Sequence, residues 1–138
     1  MKNPLVNPAI NPHRNSAINP HRNSAINPQR NAAINPLRNS AINPHKNPAI
    51  NLKTNENYEG PYFFDLSIKR IGFMVKANDK VQLRFDENLD YVGFCVMTLN
   101  QGYVFYDIKM TYSSYLVSDK RGGFLEYDTN NNWIGFVV

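Results

Sequence analysis

Five basic side chains recur at one position of an eight-residue unit: Arg14, Arg22, Arg30, Arg38 and Lys46. Cations at regular spacing suit a polyanion, because each one neutralises a phosphate or sulfate and releases condensed counterions. No aromatic side chain lies beside them to stack on bases, since every aromatic residue is at Tyr58 or beyond. The chemistry expected of the five is therefore sequence-independent, salt-sensitive binding to a nucleic-acid backbone or other anionic surface. The competing reading is plain solvation of a polar coil.

Other reactive residue types lead to less. His13, His21 and His45 share the slot before the base, where other units carry Gln29 and Leu37. The slot asks for moderate size rather than imidazole, so a metal shared by two histidines gives way to a surface filler. Asp86–Asp90, DENLD, lacks the central glycine and closing glutamate of a calcium loop. Asp65, Asp107 and Asp128 stand where Asp86 does, as turn-opening residues. Cys95, the only cysteine, sits in YVGFCVM and reads as a buried, inert thiol. No histidine follows Tyr58 to activate it or a serine, and no phosphate-cradling glycine loop is present. Catalytic, cofactor-binding and metal-ligating residues are thus assigned to none, and the expectation is a protein without cofactor that is not an enzyme.

The basic residues are positioned by an asparagine array. Every fourth residue from Asn3 to Asn55 is asparagine, and the units at Asn11–Ile18, Asn19–Ile26, Asn27–Ile34 and Asn35–Ile42 follow NPxRNSAI closely. Proline at Pro12, Pro20, Pro28, Pro36 and Pro44 removes an amide proton and pushes the preceding asparagine out of the α region, which excludes a helix. Asn-Pro instead opens a β-turn, with the asparagine side chain bonding the backbone two residues on. The tetrads resemble the NPNA repeats of malarial circumsporozoite proteins in this turn chemistry. Isoleucine ends the second tetrad of each unit, at Ile18, Ile26, Ile34, Ile42 and Ile50. A strict phase with a periodic aliphatic residue predicts an ordered, β-solenoid-like stack rather than disorder. Whether its asparagines point in as ladders or out as turn caps stays open at this level.

A second repeat, of 21 residues, runs through the aromatic half. Ile71-Gly72-Phe73 returns as Val92-Gly93-Phe94, Ser113-Ser114-Tyr115 and Ile134-Gly135-Phe136, and the aromatic-aspartate pairs at Asp65, Asp86, Asp107 and Asp128 keep the same step. Each copy reads as a β-hairpin with alternating apolar positions. Four of them must pack together, as stacked hairpins, a sandwich or a barrel. In unit length and aromatic content they resemble the choline- and glucan-binding repeats of bacterial cell-wall proteins, but the recurring tryptophan and paired tyrosines are missing.

The sequence therefore predicts an all-β chain with an Asn/Pro-rich array at 1–56 and a β-hairpin repeat domain at 57–138. Charge divides at the same point: residues 1–55 hold seven bases and no acid, and the rest hold eight bases and eleven acids. The function expected first is structural, through self-association or docking of a protein partner. Polyanion binding by the basic ridge is the alternative, and carbohydrate binding on hairpin aromatics comes third. The start of the chain has no apolar core of a signal peptide, and no stretch is long enough for a membrane helix, so the expected location is the cytoplasm.

Overall fold

The computed structural model of the chain describes Asn7 and residues 10–138. The first copies of the array, and the N-terminal stretch read above for a signal, lie outside the described residues.

Eight strands form: β1 (Tyr62–Asp65), β2 (Arg70–Lys76), β3 (Val81–Asp86), β4 (Tyr91–Met97), β5 (Tyr103–Asp107), β6 (Tyr112–Ser118), β7 (Phe124–Asp128) and β8 (Trp133–Val137). Each pairs antiparallel with the next, and β1 pairs with β8 through Phe63↔Val137, so the sheet closes into a barrel in chain order. Closure pairs every strand on both sides and leaves no free edge.

The four hairpins are built alike. Asp65, Asp86, Asp107 and Asp128 each accept two backbone N–H bonds through Oδ1, from the residues two and four positions on. Three residues after each aspartate, Ile68, Leu89, Met110 and Asn131 take positive φ, which fits a tight turn. Each pair also carries one bulge, leaving Ile71, Val92, Ser113 and Ile134 without a partner in the register. The glycines that follow are required by proximity. A Cβ at Gly72 would stand 2.4 Å from the Phe85 carbonyl oxygen, and one at Gly135 2.3 Å from that of Phe64.

Residues 10–61 contain no β-strand; the expected β-solenoid is replaced by turns. Five single 3-10 turns, at Ser16–Ile18, Ser24–Ile26, Ala32–Ile34, Ser40–Ile42 and Pro48–Ile50, alternate with β-turns. The physical reason is local. At each capped turn only the asparagine is extended, as at Asn15 (φ −135°, ψ 101°), before the chain turns again, so no two successive residues can form a ladder. Asparagine holds the units together with both ends of its amide. Asn31 Oδ1 accepts from the Ala33 N–H at 3.1 Å, while its Nδ2 donates to the Ala25 carbonyl of the preceding unit at 2.9 Å. Asn23, Asn39 and Asn47 repeat both bonds. The asparagines are turn caps and ladder rungs at once.

The array's isoleucines from Ile18 to Ile42 are buried, as their period predicts, but they pack on the barrel, while Ile50 is half-buried and Leu37 is exposed. Ile18, Ile26, Ile34 and Ile42 share one cluster with Phe73, Leu83, Phe85, Phe94, Tyr106 and Tyr115. Pro12, Pro20, Pro28, Pro36 and Pro44 are buried beside them. Alternation along each strand sends a different set inward: Phe63, Met74, Cys95, Tyr103, Phe105, Leu116 and Val137. Arg84 on β3 reaches Glu126 on β7, halfway round the barrel, which a side chain can do only through the lumen. Strands β2 to β6 are therefore apolar on both faces, and the array covers the outer one.

Candidate functional site

In each unit the isoleucine, asparagine and proline of one corner meet the barrel, so the base four residues before the isoleucine must point away. Arg14, Arg22, Arg30, Arg38 and Lys46 are all exposed, and among the described residues none of the five forms an ion pair. Side-chain bonds from Asn19, Asn23, Asn27, Asn31, Asn39, Asn47 and Asn55 to carbonyls six or seven residues back, 2.7 to 3.1 Å long, tie successive units together. Ser16, Ala17, Ser24 and Ala25 are exposed as well and add no bulk. All five residues singled out from the sequence are thus exposed on the array, and among the described residues none is paired with an acid.

Anchors to the hairpins fix how the array is presented. Tyr106 Oη donates to the Ile18 carbonyl at 2.5 Å. His21 Nε2 lies 3.1 Å from the Met110 carbonyl oxygen, and His45 Nε2 lies 3.3 Å from Asp90 Oδ1. The histidine slot, read as a surface filler, in two of its three copies attaches the array to the tips of hairpins. Its signal in sequence was weak because Gln29 and Leu37 occupy the same position in the units between, beside the same hairpin residues Asp90 and Met110. Among the described residues, no three of His, Cys, Asp and Glu gather as a metal site would require.

Cys95 is fully buried in the lumen, and burial pushes its thiol up to about 12. The exposed large apolar residues of the hairpins include one aromatic, Trp133, whose Nε1 donates to the Gly135 carbonyl at 2.7 Å.

Sequence reasoning missed a polar set in the lumen. Positions 63, 84, 105 and 126, separated by the 21-residue step, hold Phe63, Arg84, Phe105 and Glu126 in one layer. Arg84 Nη1 donates to Glu126 Oε2 at 2.8 Å, and its guanidinium lies 3.6 Å from the Phe63 ring centre and 4.6 Å from that of Phe105. Ser114 donates to the same carboxylate oxygen at 2.7 Å. Ser114 stands where the other hairpins carry glycine, so the two departures from the repeat meet in one network. Two charged residues at an inward register position were the available signal.

No protein-family model matches the chain, and no curated protein or solved structure shows significant similarity to it.

Proposed function

We propose that this is a non-enzymatic docking protein whose array binds a polyanion along the rank Arg14, Arg22, Arg30, Arg38 and Lys46. The observation that carries the reading is five exposed cations at one position of successive units, without ion pairs among the described residues. A surface serving only solubility gains from interspersed charges of both signs. Here the array holds one sign only, and its seven bases meet no acid before Glu56. Like charges held side by side repel, and an anion laid along them relieves the repulsion. Asparagine contributes the repeated support, and the barrel contributes the surface on which the units are held.

Docking of this kind needs no free sheet edge. Self-association through open strand edges has no route in the barrel, where all edges are paired, so the outward face of the array takes the docking role.

The test is binding to a mixed-sequence DNA duplex and to heparin across a salt series. Engagement of five phosphates predicts a slope of log K against log salt of about −4 to −5 for duplex DNA. Replacing Arg14, Arg22, Arg30 and Arg38 by glutamine should cut that slope to about −1 without unfolding the protein. Affinity that is absent at low salt, or that survives the four substitutions, would remove the proposal.

A further inference from the structure

Two exposed aliphatic side chains, one from the array and one from a hairpin turn, line the same groove. Leu37 fills the slot that holds His13, His21, Gln29 and His45 in other units, and Ile108 fills the turn position held by Leu66, Glu87 and Thr129 in other hairpins. Both border an open cavity of ≈ 410 Å³ between the array and the second and third hairpins, with Gln29, Asp90 and Tyr91 also in its lining. Leu37 is 79% and Ile108 55% exposed, so each is free to touch whatever enters. An apolar side chain seated between them removes that area from water, which is favourable in proportion to the area covered.

The charge around the groove has one prevailing sign. Gln29, Leu37 and Ile108 are each followed in the chain by a cation, at Arg30, Arg38 and Lys109. All three cations are exposed, and none forms an ion pair among the described residues. Successive Cα atoms lie about 3.8 Å apart, so each cation stands within a side chain's length of the groove. The lining holds one acid, Asp90, whose Oδ1 lies 3.3 Å from His45 Nε2. Asp107, just before Ile108, accepts two N–H bonds of its own turn through Oδ1. An apolar seat therefore lies beside unpaired positive charge.

We propose that the groove docks an acidic polypeptide, with one bulky apolar side chain between Leu37 and Ile108 and flanking carboxylates toward Arg30, Arg38 and Lys109. This partner class rests on the polyanion reading of the array and narrows it. A nucleic-acid duplex keeps its bases stacked inside and offers phosphates outside, so it leaves the seat empty. A peptide fills both the seat and the charge.

The experiment is fluorescence anisotropy of two labelled nonapeptides, EEEEFEEEE and EEEESEEEE, titrated with the full-length protein at low salt, with heparin as a separate probe. The phenylalanine peptide should bind roughly fivefold to tenfold more tightly than the serine peptide, as a partly buried ring gives. Both should weaken as salt rises. Replacing Arg30, Arg38 and Lys109 by glutamine should weaken both peptides roughly threefold or more. Leu37→Gln combined with Ile108→Thr installs the residue types that Gln29 and Thr129 already supply at the same positions of other copies, which protects the fold. That variant should bind the two peptides equally and heparin as the parent protein does. Equal affinity of the parent protein for both peptides, or a phenylalanine preference that survives the double variant, overturns the proposal. Loss of heparin affinity in the double variant also overturns it, because Leu37 and Ile108 would then serve the array and not a seat. Heparin binding without affinity for either peptide overturns it too, and leaves the polyanion reading standing with a non-peptide anion. Absence of both heparin and peptide binding removes both readings.

Discussion

Arg84 and Glu126 meet across the lumen of the barrel, with side chains only 12% and 3% exposed. A buried pair adds little net stability over an apolar filling, but removing one partner strands a charge. Arg84→Met should therefore destabilise the protein by about 3–5 kcal/mol in urea unfolding. Arg84→Met combined with Glu126→Leu should recover most of the loss. Phenols give a second prediction at this scale. Burial, with a smaller contribution from Tyr62, raises Tyr58 to about 12, and burial raises Tyr91, Tyr106 and Tyr112 as well. A raised phenol means that the folded state holds its proton more tightly than the unfolded chain. The contribution is complete below the ordinary value near 10 and is lost above it, for Tyr58 as pH climbs toward about 12. Unfolding midpoints should fall across that window, while absorbance near 295 nm shows these tyrosines ionising late.

At the scale of the element, the array rests on the bifunctional amide of asparagine. Asn31→Ala removes the bond from the Ala33 N–H and the bond to the Ala25 carbonyl, a loss of about 1–3 kcal/mol if each contributes ordinarily. Asn31→Asp keeps the turn acceptor and loses the donor, so it should fare no better than alanine. Both are read from urea midpoints, with hydrogen exchange at Ala33 locating the damage. The turns were legible from Asn-Pro spacing because their chemistry is local. The absence of strands was less so: a stack of turns and a stack of short strands share the same period, and only the backbone angles separate them. The hairpins were legible for the same local reason, with Asp65, Asp86, Asp107 and Asp128 opening each turn as expected.

For the whole molecule, the two sequence regions depend on each other. Ile18, Ile26, Ile34 and Ile42 bury against the outer face of the barrel, and each isoleucine fully buried is worth roughly 1.5–3 kcal/mol. Residues 57–138 expressed alone should expose the outer face of β2 to β6, bind a hydrophobic dye and aggregate. Residues 1–56 alone should show no amide protection, and mixing the two should suppress dye binding. Protection of the isolated array, or a soluble and dye-silent isolated barrel, would show that the shared cluster is dispensable.

The amino-acid order alone determined the turns, the hairpins, their 21-residue step, the buried isoleucines and the rank of bases, because each follows from neighbours along the chain. Only the tertiary structure decided that the sheet closes on itself, that the isoleucines bury on its outer face, and that Arg84 finds Glu126 in the lumen. Those outcomes join residues tens of positions apart, such as Ile18 with Tyr106 and Phe63 with Val137. Periodicity says that a face must be buried; the closed sheet supplied what buries it.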